Sequence, residues 1–271
     1  MLGINTNVPS LTAQKNLTSS SSSINTSISR LSSGLRINSA RDDAAGLAIA
    51  TRMSSEVRGS EVAKRNTNDG ISALQIADGA LASMTDGVQR MRELAVQAAT
   101  GTLTTDDRTN LLAEFDALGA QLTDIATDTK FNGVSLLTGT PANLAIQTGA
   151  NSGDTTTVNL VNGSTIATAV DGADISTAAA ATTALTTIDA QLTALNTGRA
   201  TIGAGINRLD AVVSNLDTTV TNVSAARGRI MDADFAKETA NLTRTQILQQ
   251  AGTAMLAQAN QLPNNVLSLL R

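Results

Sequence analysis

The sequence predicts a mainly α protein: a long, coiled-coil-like antiparallel helical rod with a β-hairpin at the chain's midpoint, plus a terminal two-helix coiled-coil domain. Three observations predict it. Apolar residues recur at alternating three- and four-residue spacings through most of the 271 residues, as in helices with one buried stripe. That pattern fails in one internal stretch, 131–177, rich in Gly, Thr, Ser and Asn. The stripes on either side stand in nearly mirrored order, so folding at the middle sets long helix against long helix and brings both termini together. The expected divisions are 1–39 and 232–271, the two helices of an inner domain, and 40–231, the rod, with its hairpin near 143–161.

In chain order, Leu17, Ile24, Ile28, Leu31 and Leu35 form a thin stripe in a Ser-rich helix. A long helix from about 40 to 99 follows, with Leu74, Ala77, Leu81, Met84, Val88, Met91, Ala95 and Ala98 on one face. Gly101 stops it. Thr104 then caps a shorter helix, with Asp107 completing a capping box and Leu111, Phe115, Leu118, Leu122 and Ile125 on its apolar face. LAIQTG (144–149) and TTTVNLV (155–161) alternate as two strands joined through ANSGD, and the remainder to about Thr177 reads as loop. From Leu185 through Ile188, Leu195, Ile202, Leu209, Leu216 and Val223 to Ile230 the 3-4 alternation returns, broken at Arg199 and Arg227. At ~1.5 Å per residue, 178–230 makes a helix of roughly 80 Å. GAG at 203–205 is expected to break or bend it. Leu248, Ala251, Met255, Ala259, Leu262, Val266 and Leu269 stripe the last helix.

Composition removes most chemistries. There is no His, Cys, Trp or Tyr and there are three Phe, which excludes Ser-His-Asp and Cys-His catalysis, thiolate sites and zinc helices. Aromatic platforms for bases or sugars are lacking. No enzymatic activity and no cofactor are expected. The net charge is −4, and residues 1–41 carry Lys15, Arg30, Arg36 and Arg41 without an acid. Four charges over that length are sparse and the rest of the chain repels phosphate, so no nucleic-acid partner is expected. No run reaches the ~18 apolar residues of a membrane span, and MLGINTNVPS lacks the build of a cleaved signal peptide.

The paired Asp42-Asp43 is the one candidate for a carboxylate site. It lies where the first helix ends and the long one starts, and helix punctuation explains it better. Ser39 is the expected N-cap, with Asp42 and Asp43 in the first turn, where the helix dipole favours negative charge. Asp232 and Asp234 start the last helix in the same manner, and Arg227 and Arg229 are expected opposite Asp42 and Asp43.

The terminal stripes are too thin to offset the entropy of ordering their helices. They need other molecules, and many identical chains supplying such stripes through contacts that do not close generate a helical filament. RLSSGLRINSARDDAAGLAI (30–49), RNTNDGISALQIADGAL (65–81), QRMRELAVQ (89–97), FNGVSLL (131–137) and AIQTGAN (145–151) occur in that order. The chain ends in ARGRIMDADFAKETANLTRTQILQQAGTAMLAQANQLPNNVLSLLR (226–271). With these motifs the chain strongly resembles bacterial flagellin, over about 1–161 and 180–271, in a short form with only the two core domains.

The resemblance implies a structural subunit that polymerises with itself into the extracellular flagellar filament and leaves the cell unfolded by the flagellar type III pathway. Export chaperone, cap and hook-junction proteins are the implied partners. Filament-core packing falls on Leu17, Ile24, Ile28, Leu31, Leu35, Leu248, Met255, Leu262, Val266 and Leu269. For the free subunit the resemblance implies contact with the vertebrate flagellin-sensing Toll-like receptor through Gln89, Arg90, Glu93, Leu94, Gln97 and Glu114. A hook–filament junction protein shares the terminal pattern, and a secreted helical adhesin is a more distant alternative.

Overall fold

A computed structural model describes residues 6–139 and 143–268, with side chains through residue 261. The described elements are α1 (Val8–Ser33), α2 (Ala44–Ala98), α3 (Thr105–Asp128), β1 (Lys130–Phe131), β2 (Val134–Ser135), β3 (Asn143–Gln147), β4 (Thr155–Asn159), α4 (Gly163–Asp171), α5 (Ala178–Met231) and α6 (Phe235–Ser268). They fall into two compact units, 1–55 with 222–271, and 56–221.

The second unit holds the main core. Leu74, Ala77, Leu81, Met84, Val88, Met91, Ala95 and Ala98 of α2 are all fully buried, together with Ile188, Leu195, Ile202 and Leu209 of α5. Each large side chain so buried contributes about 1.5–3 kcal/mol, which makes this seam the principal source of the unit's stability. Phe115, Leu122 and Ala126 add the face of α3. Three ion pairs border the seam: Lys64 with Asp217 at 2.6 Å, Asp78 with Arg199 at 2.9 Å and Arg92 with Asp189 at 2.6 Å. Partner numbers fall as α2 numbers rise, so the helices are antiparallel. Arg199 thus interrupts the apolar stripe to make one of these pairs.

The capping box forms as expected: Thr104 Oγ1 accepts the Asp107 N–H, and Asp107 accepts the Thr104 N–H. Arg108 donates to the carbonyls of Ala98, Thr100 and Leu103, and so satisfies the open end of α2.

The hairpin forms in the expected place, with β3 antiparallel to β4 and Leu144 opposite Val158. Around it the structure departs from the sequence reading. β1 and β2 form a second small hairpin, turned at Asn132-Gly133 with φ of 49° and 80°, the left-handed pair that a tight two-residue turn requires. Residues 163–171, expected as loop, form α4. Asn162 caps it by accepting the Thr165 N–H, and Ile166, Ala167 and Val170 are buried. Tertiary burial makes this helix, since nine residues are too few to hold one alone.

GAG at 203–205 does not break α5, which is α-helical throughout. The glycines thin the helix surface. A Cβ on Gly205 would stand 2.7 Å from Val158 Cγ1, and one on Gly198 2.7 Å from Val161 Cγ1. β4 and the segment after it lie against α5 through these two positions.

Candidate assembly and contact surfaces

The punctuation between α1 and α2 is built differently from the expectation. α1 ends at Gly34, whose φ of 71° is the left-handed conformation of a helix C-cap. Leu35 then leaves the helix and bridges Asp232. The Arg36 N–H donates to Met231 O at 2.6 Å and the Ala233 N–H to Gly34 O at 2.9 Å. Leu35 is therefore not part of the α1 stripe.

Ser39 is not the N-cap of α2. Asp42 accepts the N–H groups of Asn38 and Ser39 and the Ser39 hydroxyl, which closes a turn before the helix. The Asn38 N–H, then that of Ser39, holds the Asp42 carboxyl below the usual carboxylate range. Asp43 is the cap, accepting the Gly46 N–H at 2.8 Å. The cation near it is Arg36, at 4.0 Å, whereas Arg227 donates to Ser54. In α6 the cap is Asp234, which accepts the Lys237 N–H, and Asp232 serves the backbone bridge. The aspartates are punctuation, with Asp42 in a turn, Asp232 in the backbone bridge, and Asp43 and Asp234 at caps.

In the first unit α1 pairs with α6. The seam is poor in apolar bulk: its most buried residues are Ser10 and Ser27 on α1 with Glu238 and Ala259 on α6. Leu17, Ile24 and Leu31 are half-buried. Ser10 Oγ donates to Asn260 Oδ1 at 2.8 Å and Asn7 Nδ2 to Ala259 O at 2.8 Å. Several of the larger apolar residues point away from this seam. Val8, Leu11 and Ile28 of α1 and Ile247, Leu248 and Met255 of α6 are 50–67% exposed. A groove of about 710 Å³ lies between the helices, lined by Val8, Pro9, Ala13, Leu248, Ala251 and Met255 among others.

Of the residues expected to pack in a filament core, Ile28, Leu248 and Met255 thus present apolar surface outward, while Leu17, Ile24 and Leu31 share the intrachain pair. The side chains of Leu262 and Val266, and all of Leu269, lie outside the described residues. Leu11, Ile247 and Val8 belong to the outward set and were missed; the three-residue spacing of Val8 and Leu11 was the available signal for those two.

The second candidate surface is an exposed face of α2 with one residue of α3. Gln89, Arg90, Glu93, Gln97 and Glu114 are all exposed. Arg90 donates to Glu93 Oε2 at 2.9 Å and, through Nε and Nη2, to Glu114 Oε1 at 2.9 and 2.8 Å. Glu93, then Glu114, raises the Arg90 pKa above its ordinary value. Leu94 does not join this face. It is 1% exposed and belongs to the core, because it stands three residues from Met91 on the seam. Val96, half exposed, is the apolar side chain that shares the helix face with Gln89 and Glu93.

Among the described residues, no group of His, Cys, Asp or Glu is placed to hold a metal ion, and no helix is long and apolar enough to cross a membrane.

Residues 4–142 match the bacterial flagellin N-terminal helical region, and residues 185–270 match the bacterial flagellin C-terminal helical region. The chain is 45% identical over 270 residues to a flagellin of Halalkalibacterium halodurans, covering 99% of each. It is 42% identical over 303 aligned positions to a flagellin of Bacillus subtilis, again with 99% of each covered. The crystal structure of Bacillus cereus flagellin matches with a TM-score of 0.51 and 36% identity, over 60% of this chain and 94% of that one.

Proposed function

The chain belongs to the bacterial flagellin family, and on that premise we propose that the outward faces of α1 and α6 are the surfaces on which copies stack. The family is structural, not enzymatic, and its members polymerise into the extracellular filament of the flagellum. This chain is a subunit of that filament; end-to-end similarity to flagellins favours it over a hook–filament junction protein or an adhesin.

The observation that carries the stacking proposal is the reversed polarity of the first unit, with Ser10, Ser27 and Glu238 inside and Leu11, Leu248 and Met255 outside. A lone pair of this build gains little from burial. Each neighbour that covers the outer faces adds the missing apolar contact, and the contact recurs from copy to copy. Concentrated protein should form long filaments by electron microscopy. Leu248→Asp with Met255→Asp should leave the helical content of the free subunit intact and abolish pelleting; normal pelleting would remove these faces from the assembly contact.

Export in an unfolded state, and engagement with an export chaperone, a cap and hook-junction proteins, complete the proposal on the same family premise. For the free subunit, the exposed face around Arg90 is the proposed contact for the flagellin-sensing Toll-like receptor. Gln89, Glu93, Gln97 and Glu114 supply its polar groups, and Val96 takes the apolar role expected of Leu94. Reporter cells should respond to dissociated subunits and lose most of that response with Arg90→Ala.

A further inference from the structure

Glu238 is buried in the α1–α6 pair, unlike the outward apolar residues, and its surroundings are unfavourable as a source of stability. Ser27 Oγ donates to Glu238 Oε1 at 2.6 Å, a short charge-assisted bond. Arg30 Nη1 stands 3.8 Å from Oε2, a loose pair. Arg30 Nε is buried and meets no acceptor among the described residues. A carboxylate taken out of water with one hydroxyl and one distant cation is a poor exchange for an apolar side chain of the same size.

The repeat of the seam supplies a reason for it. On α6 the buried or half-buried Glu238, Thr245, Gly252 and Ala259 recur every seven residues, and on α1 so do Ala13, Ser20 and Ser27, with the C-cap Gly34 next in the series. With a strict heptad on both helices, sliding one past the other by seven residues returns every seam residue to a seam position. The side chains on these two lines are small or polar, and the larger half-buried Leu17, Ile24 and Leu31 of α1 themselves recur every seven residues, so a slip returns them to apolar seam positions and apolar packing discriminates weakly between registers. The backbone bonds of Gly34 and Arg36 to Ala233 and Met231 oppose a slip at one end of the pair, and within the seam Glu238 is the side chain that discriminates strongly. A slip one way sets it opposite Gly34, which has no hydroxyl. A slip the other way sets it opposite Ser20, with Ser23 where Arg30 stood, and no cation remains. Only the observed register offers the carboxylate both a hydroxyl and a guanidinium.

We propose that Glu238, through Ser27 and Arg30, selects the register of the α1–α6 pair and so the pattern of outward apolar residues that each copy presents. A one-heptad slip moves Leu248 and Met255 by ~10 Å relative to Val8 and Leu11, which would spoil the match to a neighbouring copy.

The chain has no cysteine, so cross-links between introduced cysteines can read the register. Leu17→Cys is combined in the full-length chain with Gly252→Cys, Thr245→Cys or Ala259→Cys and treated with a short bifunctional thiol reagent under polymerising conditions. Gly252 faces Leu17 directly, with Leu17 Cδ1 3.6 Å from where its Cβ would stand; the other two report slips of one heptad. Intrachain products are counted in pellet and supernatant alike, so the reading does not depend on whether filaments form. With Glu238 present, the Gly252 partner should dominate by about ten-fold or more, as one unsatisfied buried polar group requires. Glu238→Leu should reduce that preference to about two-fold or less. Glu238→Gln keeps an acceptor for Ser27 and should restore most of it. A preference undiminished in Glu238→Leu overturns the proposal. So does loss of all three cross-links in that variant, because Glu238 would then hold the pair together rather than choose its register.

Discussion

Gly203 and Gly205 lie two residues apart on α5, and alanine at each should have opposite effects. In a helix interior, Gly→Ala stabilises by roughly 0.8–1 kcal/mol through backbone entropy. Gly203 is exposed and nothing lies within 4 Å of where its Cβ would be, so Gly203→Ala should show that gain. At Gly205 the new methyl would meet Val158 Cγ1 at 2.7 Å and Cγ2 at 3.1 Å, with Leu74 Cδ1 at 3.5 Å. Val158 is 4% exposed and paired with Leu144 on β3, so it has little room to withdraw. Overpacking of this kind costs about 1–3 kcal/mol. Net of the backbone gain, Gly205→Ala should be neutral to about 2 kcal/mol destabilising, and about 1–3 kcal/mol less stable than Gly203→Ala. Urea unfolding of the free full-length subunit, followed by circular dichroism, measures both. Adding Val158→Ala to Gly205→Ala should recover part of the loss, a coupling that a double-mutant cycle isolates. Equal stabilisation by both alanines would refute the close approach of β4 to α5.

Leu81→Ala, at a fully buried seam position, should cost about 2–5 kcal/mol in the same assay. Leu94→Ala should likewise lower stability by about 2–5 kcal/mol and act on receptor signalling only as far as it unfolds the subunit, whereas Val96→Asp should weaken signalling at unchanged stability. Thr104→Ala removes the N-cap of α3 and should cost about 0.5–2 kcal/mol. The Thr104 hydroxyl, then its N–H, lowers the Asp107 pKa, so Asp107's contribution is complete above the unfolded value of about 3.9 and disappears as pH falls through the lower folded value. Asp107→Asn should flatten that part of an acid titration of stability. Protease should trim α1 and α6 from the free subunit and spare them in the polymer, since only neighbours cover their outward faces; equal resistance in both forms would count against stacking on those faces.

The residue order alone determined the five longer helices and where the third of them starts. Leu74 to Ala98 and Leu185 to Leu216 carry a stripe long enough to outweigh local preferences, and Thr104 with Asp107 forms a cap from groups three residues apart. The alternation in 144–161 placed the hairpin, and the motifs from Arg30 to Arg271 placed the chain among the flagellins. What the order could not determine was which partner each stripe meets. A stripe shows that a face is apolar, not whether its own chain or another copy covers it, so Leu17 and Ile28 look equivalent in sequence and differ in exposure. Leu94 reads as a surface residue beside Arg90 until the buried Met91 fixes the rotation of α2. α4 exists because α3 and α5 bury it, and Glu238 is inside because α1 brings Ser27 and Arg30 to it. Each of these depends on groups far apart in the chain, and only the folded arrangement brings them within reach.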